Sequence, residues 1–191
     1  MLIFKVLPLI LAVHLAHADI SYPKDHCVAW KTKKTMFLFK KLEPVGVSCD
    51  VKTVIKKDNK GDSFLKIEVP IKSFDSNESK RDAEVVKILK ADKQANLVFT
   101  TYEALKIYNS KNNFKGKISG EISIGGKKSP IEFKVSKTRQ GGESVYLGKA
   151  VLKYTDLGIS PPSVAGGVVA KVADYLELHF KFSEDKINKS L

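Results

Sequence analysis

The amino-acid sequence predicts an all-β fold: an antiparallel meander of seven or eight strands that closes into a barrel or stacks as a sandwich. Three observations predict it. Apolar residues alternate with polar ones at the period of a strand along much of the chain. Short Gly-, Asn- and Asp-rich turn signals separate the alternating runs, and connections of that length make antiparallel hairpins rather than βαβ crossovers. A helical period stands out in one stretch, near residue 80.

Taken in order, the chain opens with Lys5, an apolar run from Val6 to Val13, and then Ala16-His17-Ala18. This reads as a secretory signal peptide cleaved after Ala18, because a membrane span needs about 20 apolar residues and this run is shorter. The expected organisation is a signal peptide over residues 1–18 and a single domain over 19–191, delivered to the periplasm or secreted. Removing the leader takes away Lys5 and no acidic residue, so 32 basic and 21 acidic side chains remain. Cys27 and Cys49 form a candidate disulfide in an oxidising compartment, the alternative being two small buried apolar residues. A turn at Leu42-Glu43-Pro44 would set the two sulfurs across a hairpin; a turn near Lys33 and Lys34 would not.

Val45, Val47, Cys49, Val51 and Ile55 then alternate with polar or small residues, as do Leu65, Ile67, Val69 and Ile71 after the turn signal Asp58-Asn59-Lys60-Gly61-Asp62. Ser79-Lys80-Arg81-Asp82 supplies a serine N-cap, and Val85, Ile88 and Leu89 follow at helical spacing, so a helix is expected over 80–91. Its apolar face is narrow, which suits a helix lying over something else. Strand parity resumes at Ile118, Ile122 and Ile124, then at Ile131, Phe133 and Val135, and last at Leu176, Leu178, Phe180 and Phe182. Gly158 to Gly167 is too rich in Pro and Gly for regular structure and reads as a rim loop. The tail from Ser183 to Leu191 is polar and is expected to fray.

Several functions are disfavoured. Arg81 and Arg139 are the only arginines in a basic chain, whereas phosphate and base recognition favours the bidentate guanidinium, so no nucleic-acid partner is expected. No HExxH, GxSxG, GxGxxG or paired Cys/His spacing occurs, and beyond the leader His26 and His179 are the only histidines. No catalytic residue, metal or cofactor is therefore assigned. Both histidines read as incidental, His179 as a surface residue. Phenylalanines spread over nearly every strand either fill a barrel or line a cavity within it.

The stretch Ser73-Phe74-Asp75-Ser76-Asn77-Glu78-Ser79-Lys80-Arg81-Asp82 resembles the signature of the YceI family of bacterial periplasmic proteins, where a strand ends in Ser-apolar-Asn/Asp-Thr before an Arg-Asp pair. Three further segments resemble the family in the same order: Gly120 to Ile131, Lys153 to Ile159, and Val172 to Leu178. The likeness runs from about residue 22 to 182. The chain departs from the family pattern at Ala83-Glu84-Val85, at Gln94-Ala95 and near Asp25-His26.

The resemblance implies a lipocalin-like antiparallel β-barrel of about eight strands with one short helix covering it. It also implies a non-catalytic binding or carrier protein for a long apolar ligand, such as a polyisoprenoid, an isoprenoid quinone or a fatty amide. The alternative is a stress-related or structural interaction protein with a filled barrel and no lipid. Parity, with Lys and Glu on the opposite face, assigns Phe37, Phe39, Val47, Ile67, Val69, Phe99, Ile122, Ile124, Phe133 and Leu178 to the lining, joined by Val85, Ile88 and Leu89 from the helix. Arg81 is the candidate for a polar head group, with an ion pair to Glu78 or Asp82 as the competing role. Transient contact with an anionic membrane surface is a second partner reading, although the lysines are dispersed along the chain. The oligomeric state stays open, a homodimer included.

Overall fold

The structure, a computed structural model, describes residues 20–37, 39–60, 62–103 and 114–188. The leader and its cleavage point lie outside them. The strands are β1 (His26–Met36), β2 (Lys40–Leu42), β3 (Val45–Ser48), β4 (Lys52–Lys57), β5 (Ser63–Pro70), β6 (Asn96–Thr101), β7 (Lys115–Ile124), β8 (Lys127–Gln140), β9 (Glu143–Leu152), β10 (Ser163–Val164) and β11 (Ala170–Ser183). Helix α1 (Ser79–Ile88) follows β5, and helix α2 (Glu184–Asn188) follows β11. The fold is all-β and antiparallel, as the alternation predicts, and eight of the eleven described strands have six or more residues.

One sheet runs in the order β2-β1-β11-β9-β8-β7-β6-β5-β4, with β3 also on β1 and β10 on β11. The first long strand thus lies against the last, from His26 opposite Phe182 to Met36 opposite Ala170. Among the described residues no ladder joins β3 to β4. The seam is crossed by an isolated bridge from β3 to the chain beyond β5, in which Val47 and Asp75 exchange both backbone hydrogen bonds at 2.8 and 2.9 Å, and by the Ser48 and Ser73 hydroxyls, 2.6 Å apart.

The first hairpin turns elsewhere than at Leu42-Glu43-Pro44. β1 pairs with β2 and β3 in a single register, from Met36 opposite Lys40 to Val28 opposite Ser48, so the reversal falls around residues 37–39. The next pair outward from Val28 and Ser48 is Cys27 and Cys49, which are joined by a disulfide with Cα atoms 4.1 Å apart.

This register corrects three lining assignments. Phe37 and Phe39 occupy the hairpin tip and are 55% and 81% exposed. Phe37 has φ of 48°, a turn conformation in which strand parity no longer applies. Val47 stands opposite Ala29 on the outward parity of β3, while Gly46 and Ser48 are buried. The chain leaves the strand at Cys49–Val51, which resets the alternation before β4, so one parity cannot run from Val45 to Ile55. Inside, the Trp30 indole lies against Gly46, where an added Cβ would come within 2.5 Å of the ring.

The rest of the interior follows the alternation. Leu65, Ile67 and Val69 of β5, Phe99 of β6, Ile118, Ile122 and Ile124 of β7, Phe133 of β8 and Phe180 and Phe182 of β11 join one buried cluster. At one end it is a continuous aromatic column. His26 stacks on Phe182 at 4.6 Å and Phe182 on Phe180 at 4.7 Å; Phe133 lies 5.4 Å from Phe180, and Phe99 5.4 Å from Phe133. Gly120 and Gly148 leave the room this column needs, because a Cβ at either would enter the ring of Phe99 or Phe180. His26 is therefore a buried packing residue rather than an incidental one, and its Nε2 lies 2.9 Å from the Thr53 hydroxyl.

The tail also departs from expectation. As far as Asn188 it is ordered: α2 docks under the same end, burying Ile187 to 6% exposure, and residues 189–191 lie outside the described residues. The Glu184 carboxylate accepts from Lys137 Nζ at 2.6 Å and from the Tyr146 hydroxyl at 3.0 Å. Lys137 is itself buried, so the pair satisfies a charge that could not otherwise sit there.

Candidate lipid-binding cavity

The opposite end of the barrel is hollow. Helix α1 lies over it and starts directly after Glu78, which is the N-cap in place of Ser79. The N-terminus is held from the side: the Asp82 carboxylate accepts from the Ser76 amide at 3.1 Å and from its hydroxyl. Arg81 donates from Nε to the Ser76 hydroxyl at 2.8 Å and from Nη2 to the Ser76 carbonyl at 2.7 Å, and its Nη1 meets Glu78 at 3.0 Å. Ser76, Arg81 and Asp82 thus tie the helix to the segment before it, next to the Val47–Asp75 bridge. The Arg81 side chain does face the cavity, but Ser76 and Glu78 already hold its guanidinium.

Beneath the helix is a cavity of about 300 Å³. Val85, Ile88 and Leu89 roof it, Trp30, Leu97, Ile124, Tyr154, Leu157, Leu176 and Leu178 form its walls, and Phe74 lies toward its floor. A second void of about 50 Å³ continues inward between Ile67, Val69, Phe99, Ile122 and Phe133. Phe74, Leu97 and Leu178 border both spaces and form a neck between them. Below the neck the aromatic column fills the barrel.

Of the residues assigned to the lining from sequence, Ile67, Val69, Phe99, Ile122, Phe133 and Leu178 surround the inner void. Val85, Ile88, Leu89, Arg81, Ile124 and Leu178 surround the outer one. Sequence reasoning left out Trp30, Phe74, Leu97, Tyr154, Leu157 and Leu176. Leu176 shares the parity of Leu178, and Phe74, Tyr154 and Leu157 belong to the family-like segments, so a signal for those four was present.

Polar groups are few in the lining, and the Thr32 hydroxyl and the Tyr154 phenol are buried in it. The Thr32 hydroxyl donates to the Tyr175 carbonyl at 2.7 Å and also meets Tyr154, whose phenol burial pushes up. Glu78 pairs with Arg81, and Glu84 with Lys87 at 3.0 Å. Lys34 and Lys80 also border the cavity, and among the described residues neither is in an ion pair. Near the rim, Asp174 accepts from the Thr155 amide at 3.1 Å and its hydroxyl at 2.7 Å, fixing the turn that carries Tyr154 and Leu157. The Pro- and Gly-rich stretch contributes Pro162 and Ser163 to the mouth, as expected of a rim loop, and includes the short strand β10.

The Gln94 side chain, where the family pattern changes, makes four hydrogen bonds. Its amide nitrogen donates to the carbonyls of Asn96 and Ser123, and its oxygen accepts from the Ser123 hydroxyl and the Gly126 amide. These bonds tie the entry of β6 to the β7–β8 turn. His179, on the outer face, is half-buried rather than freely exposed, with Nε2 2.8 Å from Glu177. Burial lowers its pKa despite that carboxylate; burial pushes Glu177 up, and bonds from Tyr175, Lys149 and His179 together outweigh it and hold the carboxyl at about 2.

A rolled antiparallel sheet, packed at one end and hollow under a helix at the other, defines a small β-barrel protein built around an apolar cavity. The YceI-like domain model matches residues 16–183, and the chain belongs to that family. Solved structures share the fold. BcnA of Burkholderia cenocepacia aligns with a TM-score of 0.58 at 15% identity, over 81% of this chain and 93% of that one. A polyisoprenoid binding domain from Saccharophagus degradans aligns with a TM-score of 0.54 at 7% identity, over 80% and 90%. The YCEI protein of Campylobacter jejuni gives a TM-score of 0.52 at 18% identity, over 91% and 90%. No curated protein sequence matches the chain.

Proposed function

We propose that the protein is an exported, non-catalytic carrier for a long apolar ligand, a polyisoprenoid, isoprenoid quinone or fatty amide, taken up between α1 and the open end of the barrel. The observation that carries this reading is the cavity itself: about 300 Å³, walled mainly by aliphatic and aromatic side chains. The similarity in fold to a polyisoprenoid binding domain supports it. A tail lying against these walls gains about 0.8 kcal/mol per buried methylene without needing a polar contact. Its head group remains at the rim, beside Lys34, Lys80 and Arg81. The filled lower half limits the tail to the space above the aromatic column unless the Phe74, Leu97 and Leu178 neck opens. Delivery to the periplasm or exterior rests on the leader-like first 18 residues.

Trp30, the single tryptophan, lines the cavity and reports occupancy directly. Titration with a long-tailed isoprenoid quinone should quench its fluorescence saturably, whereas the same quinone without a tail should not. Equal quenching by both, or by neither, contradicts the proposal.

A further inference from the structure

Six large apolar side chains stand well exposed among the described residues, and four of them, Phe37, Phe39, Val168 and Val169, lie at one end of the molecule. The structure joins them: the Phe37 amide donates to the Val169 carbonyl at 3.1 Å, and Met36 pairs with Ala170. The patch adjoins the mouth of the cavity, whose rim includes Lys34, Ala170 and Val172 from these two segments. Its charge is one-sided. Residues 33–42 contain Lys33, Lys34, Lys40 and Lys41, residues 163–172 contain Lys171, and neither segment has an Asp or Glu. Lysines dispersed in sequence are thus gathered by the fold around an exposed aromatic tip.

We propose that this hairpin tip docks the protein on an anionic lipid bilayer, with Phe37 and Phe39 entering the interface and the surrounding lysines facing the head groups. Aromatic rings favour that interface, and cationic side chains add attraction that falls off within a Debye length. A surface that was merely solvated would not place two phenylalanines, at 55% and 81% exposure, on one hairpin turn. Docked this way, the cavity mouth opens beside the bilayer, and an apolar tail passes between the two without crossing water. That consequence rests on the carrier reading; the docking itself does not.

The test uses Phe39→Trp, with vesicles of phosphatidylcholine alone and of phosphatidylcholine mixed equally with phosphatidylglycerol. Trp30 is buried, so a blue shift on mixing reports the tip. The shift is expected with the anionic vesicles only and is lost at high salt. In flotation assays Phe37→Ser/Phe39→Ser should lower binding to anionic vesicles by about tenfold or more. Tyr102→Ser/Val151→Ser, which removes exposed apolar groups elsewhere, should leave it unchanged. Equal binding by the tip variant and the parent overturns the proposal. So does a tip-dependent self-association by sedimentation without vesicle binding, which would assign the patch to a second copy of the chain. Ligand content is read separately from an organic extract: vesicle binding with an empty extract fails the carrier reading alone, and a loaded protein that ignores vesicles fails the docking alone.

Discussion

Gly148 has no side chain because the Phe180 ring fills the space where one would stand. Gly148→Ala forces that ring toward Phe133 and Phe182, and overpacking of this kind costs about 1–3 kcal/mol. Urea denaturation should show the loss as a lower midpoint with unchanged slope. His26, at the foot of the same column, is held near pKa 4 against an ordinary 6.5, chiefly by burial and secondarily by Lys186. Between those values the unfolded chain binds a proton that the folded chain refuses, so stability is full above about pH 6.5 and falls as the pH drops toward 4. His26→Gln, which can retain a bond to Thr53, should flatten this part of the pH dependence. Midpoints compared at about pH 7 and about pH 4.5 check it; an identical decline in the variant contradicts the assignment.

At the scale of elements, the first hairpin carries the clearest expectation. With Cys27 and Cys49 bonded across the end of β1 and β3, denatured, unreduced protein should show no reactive thiol, and two after reduction. Reduction should also lower stability by about 3 kcal/mol, the loop-closure value for a separation of 22 residues. Two thiols before reduction would refute the bond.

The long strands were legible because one face is buried and the other solvated, so Leu65, Ile67 and Val69, or Leu176, Phe180 and Phe182, declare their side by alternation alone. The hairpin tip was not. Phe37 and Phe39 carry the parity of a buried strand, and nothing local shows that the chain reverses between them. Helix α2 was hidden for another reason: five residues have no helical period, and it is docked through Ile187 and the Glu184–Lys137 pair, contacts that exist only once the barrel has formed. Most of the cavity lining was legible from parity. The neck was less so, since Phe74 lies beyond the end of β5 and Leu97 at the start of β6, both outside the alternating runs named from sequence.

The whole molecule divides into a packed half and a hollow half. The disulfide, α2 and the aromatic column close one end, while α1, the Ser76–Arg81–Asp82 clasp and the rim loop frame the other. Such a division suits a carrier, because stability resides where no ligand goes and the unfilled apolar interior lies under α1. Mass spectrometry of an organic extract of the purified protein shows whether this opening holds an apolar chain. Val85→Lys, a change on the half-buried roof helix, should leave the barrel folded and put a cation into the cavity. The wild-type extract should contain a long-chain isoprenoid or fatty amide that is lost from Val85→Lys; an empty wild-type extract, or equal amounts from both, would rule out a carrier that holds its ligand in this cavity.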